Sequence, residues 1–351
     1  MSDYADLKTL LLCCGIQLPD SLRTGRKGGA GPAGGRYMVV KNLLVNAPVY
    51  GAALKSPFSL EKVDNHYVLK GDGGVHDVLL IEDPYYYQLR TEEGVPYKKI
   101  ALLHGIDCLA TTVYQTCIRW KEKPCSFCGI ELSLRNGATI ARKTPEQLVE
   151  VAQEAVKEGA FHVTLTTGTV NEEDKGALML SECARALKGM GLPVHVQVEP
   201  VKREYLELLG DSGADSIGIH VESVDESVFE KVCPGKDFSL FFEAWANALE
   251  IFGENQVSSY VLVGLGERGS ETYAGIEKMT SLGVIPYIVP FRPISGSVLE
   301  DHPFPPFDSV KKYAVYAAEV MKEIGVDPFK NEAGCTRCGA CSPIKDYLRA
   351  L

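Results

Sequence analysis

From about residue 105 the chain alternates short apolar runs with longer stretches of helical spacing. Phe161-His-Val-Thr-Leu-Thr-Thr, Val194-His-Val-Gln-Val, Ser216-Ile-Gly-Ile-His-Val, Val257-Ser-Ser-Tyr-Val-Leu-Val and Ile285-Pro-Tyr-Ile-Val-Pro-Phe read as buried strands. Between them, residues 145–159, 171–190, a stretch through Leu209, 240–252, 271–282 and 307–324 read as helices. Thr144 caps the first of these, with Pro145 in its opening position. With the strand Leu109–Thr116 this makes six β/α units, a pattern that implies parallel strands joined by crossover helices. An open doubly wound sheet fits that pattern as well as a barrel does.

The first hundred residues read differently. Residues 3–14 have helical apolar spacing. Gly25–Gly35 is glycine-rich but lacks the Gly-Lys-Ser/Thr ending and the preceding strand of a phosphate loop, so a flexible loop is expected. Short β-like runs then alternate with turn residues from Tyr37 to Ile100, giving a small β-rich domain in which Tyr85-Tyr-Tyr is expected as an edge strand. The expected segments are 1–37, 38–104, 105–326 and a tail, 327–351.

A hydrophobic content of 45% over 351 residues suits a globular chain with a sizeable core. The net charge of −10 argues against nucleic acid or an anionic membrane as partner. No apolar run approaches the roughly 20 residues of a membrane span. The N-terminus lacks a basic signal region, and a cytoplasmic protein is expected. Eleven cysteines in such a chain point to metal thiolates rather than disulfides.

Six of these cysteines form two tight triads. The first is Cys117-Ile-Arg-Trp-Lys-Glu-Lys-Pro-Cys125-Ser-Phe-Cys128, directly after the first barrel strand. Zinc would need a fourth ligand close by, whereas a [4Fe–4S] cluster accepts three thiolates and leaves one iron open. A zinc knuckle or three core cysteines are the plainer alternatives. With Phe127 before the last cysteine and Gly129 after it, the loop resembles that of the radical SAM superfamily, although its first gap has seven residues where most members have three. The second triad, Cys335-Thr-Arg-Cys338-Gly-Ala-Cys341, resembles a ferredoxin-type ligand run and suggests a second [4Fe–4S] cluster, with a zinc site as alternative. Cys108, Ser342, water or substrate remain open as its fourth ligand. The tail is expected to fold back to the barrel mouth.

The resemblance spans about residues 105–300 and implies an α/β fold, a partial (β/α)6 barrel with its chemistry at the C-terminal ends of the strands. It implies that Cys117, Cys125 and Cys128 hold a cluster whose open iron chelates S-adenosylmethionine, and that one electron releases a 5′-deoxyadenosyl radical. Expected around that cofactor are Phe127, Thr167, Gly168 and Thr169, then Glu199. The pair His220 and Glu222 resembles the Asn-x-Asp/Glu that biotin and lipoyl synthases place under the ribose. Val261-Leu-Val-Gly264-Leu-Gly266-Glu267 resembles a Gly-Leu-Gly-Glu segment of lipoyl synthases, where Glu267 reads equally as a helix cap. Phe291 would meet the adenine, while Arg292 would clamp a substrate carboxylate or carry a surface charge. Cys335, Cys338 and Cys341 would hold the auxiliary cluster.

The Arg-Cys-Gly-Ala-Cys ending resembles that of uncharacterised nitrilase-associated radical SAM proteins of bacteria. The family implies a small-molecule substrate and reduced flavodoxin or ferredoxin as electron donor. Sulfur insertion, another bond formation and oxidation remain open as outcomes. The rival readings are an enzyme of the same superfamily acting on a peptide or tRNA, and a non-catalytic Fe–S or zinc protein.

Overall fold

The computed structural model describes residues 2–22, 34–71 and 74–351. Most of the glycine-rich stretch 25–35 lies outside the described residues, as does the Asp72-Gly73 turn. Helix α1 (Ser2–Cys14) precedes a five-stranded antiparallel sheet of β1 (Gly35–Val40), β2 (Leu43–Pro48), β3 (Ser59–Val63), β4 (His66–Gly71) and β5 (Gly74–Leu80), in the order β2-β1-β5-β4-β3. Met38, Val40, Val45, Leu60 and Leu69 bury one face of this sheet in a small core with Leu11, Leu12 and Ile16. Helix α1 packs on β2, and Gln17 bridges Ser59 at the start of β3.

Tyr85–Gln88 is a 3-10 turn rather than an edge strand. The Glu158 carboxylate accepts the backbone N–H groups of Tyr85 (2.6 Å) and Tyr86 (2.7 Å), and this closes the turn over the buried Tyr86 ring.

A seven-stranded sheet follows: β6 (Leu102–His104), β7 (Cys108–Thr112), β8 (His162–Thr166), β9 (Val194–Gln197), β10 (Ser216–Gly218), β11 (Val257–Val263) and β12 (Ile285–Pro290), in simple sequence order. Strands β7 to β12 are parallel, and β6 adds antiparallel at one edge, with His104 opposite Cys108. Residues 102–104, expected in the small domain, therefore belong to the barrel sheet. Helices α2 (Ile130–Arg135), α3 (Pro145–Lys157), α4 (Ala177–Lys188), α5 (Arg203–Asp211), α6 (Glu226–Val232), α7 (Leu240–Phe252), α8 (Gly269–Ser281) and α9 (Phe307–Ile324) fill the connections. The tail holds α10 (Gly334–Cys338) and α11 (Ile344–Ala350).

Period-two alternation divides the strands' side chains. Val163, Leu165, Val194, Val196, Ile217, Val261 and Val263 belong to the main core with the helices, while Thr164, His195, Gln197 and Tyr260 occupy the intervening positions. Thr144 forms the expected cap of α3, completed by Gln147 as a capping box. Helix α4 starts later than its sequence suggests, because the Asn171 side chain accepts the N–H groups of Glu173 and Asp174 and holds 171–176 in a turn.

Asp225 locks α6 to the start of α8. Its carboxylate caps α6 through Ser227 N–H (3.1 Å) and accepts Arg268 Nε and Nη2, both at 2.9 Å. The Arg268 hydrogen bond outweighs burial and holds the carboxyl well below its usual range. Asp225→Ala is expected to cost about 1–2 kcal/mol in a denaturant titration at neutral pH. With the folded pKa depressed, this contribution is complete above the unfolded carboxylate value and is lost as pH falls through the folded one. The wild-type advantage should therefore persist at pH 5 and vanish only in strong acid.

Candidate functional site

The C-terminal ends of β7 to β12 form one rim, and the first triad lies on it. From β7 the chain runs through Gln115 into the loop carrying Cys117, Cys125 and Cys128, all half-buried. The loop is stitched down at Ile118 N–H to Thr169 O (2.8 Å), Ser126 N–H to Val232 O (2.8 Å) and Leu299 N–H to Ser126 O (3.0 Å). Gly168 makes the first stitch feasible: a Cβ there would stand 2.1 Å from Thr116 O. A cleft of about 380 Å³, lined by Trp120, Lys121, Cys125, Cys128, Arg135 and Ser297 among others, opens beside the loop.

Cys125 and Cys128 differ in their surroundings. Burial, then the neighbouring Cys125 and Cys117, push the Cys128 thiol up to about 12. Cys125 is drawn down to about 6, chiefly by a hydrogen bond with the buried Cys233 and further by the Lys236 ammonium. Lys236 is half-buried among Cys125, Cys233, Glu199 and Glu222, and these outweigh its desolvation and keep it charged.

Glu199 and Glu222 behave differently. Glu199 accepts Arg119 Nε (3.2 Å), Arg119 Nη2 (3.0 Å) and Thr169 Oγ1 (2.6 Å), with Lys175 Nζ 3.5 Å away. Burial alone would raise its carboxyl; Lys236, Arg119 and Thr169 reverse that and hold it low. Glu199 thus anchors the cysteine loop through Arg119. Glu222 sits at the end of β10 with φ of 66°, a left-handed conformation uncommon for a residue with a side chain. Burial lifts its carboxyl to about 7 against the pull of Lys236.

The remaining expected positions divide. Thr167 hydrogen-bonds the Gly168 carbonyl at 2.9 Å, and Phe127 packs against the main core. Gly266 faces open space, while Gly264 abuts Pro305. The Glu267 carboxylate accepts Gly264 and Leu265 N–H, closing its own turn in the manner of a cap. Two rings turn away from the rim. His220 stacks on Tyr260 at 3.7 Å, accepts Tyr260 N–H at Nδ1 and folds back over Gly218. The Phe291 ring is buried edge-on to His302, which leaves only its backbone to face an adenine.

The tail does not reach the mouth. It packs against the opposite end of the barrel, where the strands begin. Gly334 N–H donates to His162 Nδ1 (3.1 Å), Ser216 Oγ donates to Ala333 O (3.1 Å), and Asn331 donates to Asn255 O (2.8 Å). His162 and Ser216 open β8 and β10, and Asn255 lies just before β11, so the second triad forms a floor. Arg292 also leads there: it reaches Asn46 O and faces Cys341 and Tyr37, so it is neither a clamp at the mouth nor a surface charge. Tyr260 OH donates to Cys335 Sγ (2.8 Å), and Asn46 of β2 donates to Cys341 Sγ (3.5 Å) and takes Ala340 O at its N–H (2.9 Å). The small N-terminal domain is thus the cover of this floor. Among the described residues no three His, Cys, Asp or Glu side chains are grouped to grip a single metal ion, so neither triad is arranged as a mononuclear cage.

Residues 121–276 match the radical SAM superfamily model. This stretch is a radical SAM domain. Over 156 residues it is 30% identical to the [FeFe] hydrogenase maturase subunit HydE of Thermotoga maritima, covering 44% of this chain and 38% of that protein. Over 195 residues it is 25% identical to a biotin synthase of Leptospira biflexa, 55% of each chain. The matched stretch therefore spans about half or less of these relatives' lengths. Methylornithine synthase (PylB) shares the fold, with a TM-score of 0.52 at 18% identity over 68% of this chain and 72% of that one. These similarities point to the biotin-synthase-like branch of radical SAM enzymes. The domain implies a [4Fe–4S] cluster and S-adenosylmethionine, and the thiols of Cys117, Cys125 and Cys128 on the rim suit such a cluster by their donor chemistry.

Arg119, Lys175 and Lys236, the cations of the rim, were not singled out by motif reading. Their one sequence signal is position, with Arg119 inside the long cysteine gap and Lys236 after Cys-Pro-Gly. Arg119→Ala should lower stability by about 1–2 kcal/mol in a denaturant titration, because Glu199 loses two charge-assisted hydrogen bonds while Thr169, Lys175 and Lys236 remain beside it. Arg119→Lys should restore only part of this, since a lysine cannot grip Glu199 with two parallel N–H groups.

Proposed function

We propose that this enzyme binds S-adenosylmethionine at the rim over a cluster held by Cys117, Cys125 and Cys128, cleaves it reductively, and takes hydrogen from a small molecule. When bound, the cluster supplies one electron and the cofactor a 5′-deoxyadenosyl radical. The observation that carries this reading is that the Cys117–Cys128 loop follows β7 onto the rim, where backbone bonds from Ile118, Ser126 and Leu299 hold it beside Thr169, with Lys236 and Glu222 near Cys125. Lys236, charged among Glu199 and Glu222, would pair with the methionyl carboxylate. Glu222 is placed to accept ribose hydroxyls, and the backbone of Thr167–Thr169 to receive the methionyl ammonium. The open face at Gly266 leaves room for the nucleoside. Arg119 and Glu199 position the loop rather than touch the cofactor.

Cys335, Cys338 and Cys341 are assigned a second cluster beneath the reaction level. Tyr260, Gln197 and Asn46 supply N–H and O–H donors to its thiolates, which tune such a centre. A substrate enters from the rim, because the tail and the small domain close the other end. That geometry favours a small molecule. Reduced flavodoxin or ferredoxin is the proposed donor, and the cleft beside Cys125 and Cys128 is the nearest approach to the cluster.

The test is anaerobic reconstitution with iron and sulfide, followed by dithionite and S-adenosylmethionine. Wild type should bind about eight irons and release 5′-deoxyadenosine. Cys125→Ala should abolish release, whereas C335A/C338A/C341A should keep it with about four irons. Release of 5′-deoxyadenosine from the Cys125→Ala protein would sink the assignment of the first site.

A further inference from the structure

Cys108 has no place in the rim chemistry, yet it is fully buried on the inner face of the barrel, at the first residue of β7. That position is the floor. The hairpin joining β6 to β7 sets His104 opposite Cys108, and Gly105 in its turn lies directly against the second triad: a Cβ there would stand 2.5 Å from Cys338 Sγ. With φ of 63° and that contact, only glycine lets the hairpin deliver Cys108 so close to the tail. Cys108 also pairs with His162 of β8, whose Nδ1 accepts Gly334 N–H (3.1 Å) beside Cys335. Cys108 from β7 and the cysteines of the tail thus meet at the same floor, with the Gly105 turn against Cys338.

Resting on the reading that the tail holds a cluster, we infer that Cys108 is its fourth protein ligand, so that the auxiliary centre is a closed four-thiolate cluster. The other donors nearby are engaged. The Ser342 hydroxyl accepts Ile344 N–H (3.3 Å) at the start of α11, and Tyr260 OH already donates to Cys335 Sγ. Thr164 Oγ1 lies 3.2 Å from Cys108 Sγ and serves as the hydrogen-bond donor to the fourth thiolate, as Tyr260 and Asn46 do for Cys335 and Cys341. A closed cluster offers no iron to a substrate. Its work is then electron transfer or sulfide release, and substrate is held by side chains above it.

The test uses the full chain as C117A/C125A/C128A, which loads only the floor. After anaerobic reconstitution about four irons should remain, and 13C-cyanide added to the reduced protein should give no 13C coupling in pulsed EPR. Adding Cys108→Ala should lower iron to about three with a [3Fe–4S] signal after oxidation, or open the cluster to cyanide with a 13C coupling. Cys108→Ser should keep four irons and shift the EPR signal. Should the Cys108 variants fail to fold, wild type with saturating S-adenosylmethionine gives the answer, since the cofactor blocks the rim iron and any cyanide coupling then reports the floor. Cyanide coupling with Cys108 present, a directly bound nitrogen, or Cys108→Ala indistinguishable from its parent would overturn the assignment. Loss of all iron from the parent, or iron unaffected by adding C335A/C338A/C341A, would instead overturn the second cluster itself.

Discussion

The direction of the six parallel strands is the constraint on which the rest of this structure depends. Parallel pairing gives the sheet two unlike ends, and every chemistry-bearing segment is sorted by which end it reaches. The cysteine loop, Thr167–Thr169, Glu222, Lys236 and the Gly264 turn follow strands and so gather on one rim. The tail meets residues that begin strands, His162, His195, Ser216 and Asn255, and so closes the other. Between the two ends, Gln197, His220, Tyr260 and Tyr287 connect them: His220 stacks on Tyr260, and Tyr260 reaches Cys335.

Charge fixes the rim. Glu199 is paired with Arg119 and Lys175, so a residue that reads as a candidate for the cationic cofactor is spent on holding the cysteine loop. Lys236 is the cation facing the first triad. It stands among two carboxylates and two thiols, a surplus of potential anions that an arriving carboxylate and a metal cluster would redistribute. Burial holds the Glu222 carboxyl above its usual range, against the pull of Lys236.

Much of this was legible in the letters. Alternation of apolar runs and helical stretches gave the six units and their order, because parallel β/α repeats leave a strong periodic trace. Cysteine spacing marked both triads. What stayed hidden were matters of direction and partnership. Nothing in residues 327–351 says which barrel end they meet, since that is decided by buried contacts with strand beginnings far away in sequence. Tyr85-Tyr-Tyr has strand composition, but the Glu158 carboxylate takes its N–H groups and curls it. The role of the small domain as a cover depends on one residue of β2, Asn46, meeting Ala340 and Cys341, a contact no local pattern announces. His220 matched a ribose-binding position by spacing alone, and its ring lies the other way because Tyr260 offers a flat partner at stacking distance.

The most direct check of the central claim is electron–nuclear double resonance on the dithionite-reduced protein with S-adenosylmethionine carrying 15N in its amino group. Chelation at an iron without a thiolate predicts a 15N coupling that disappears in the Cys125→Ala protein. A reduced cluster with no such coupling, or zinc bound by four side chains at the loop, would contradict it.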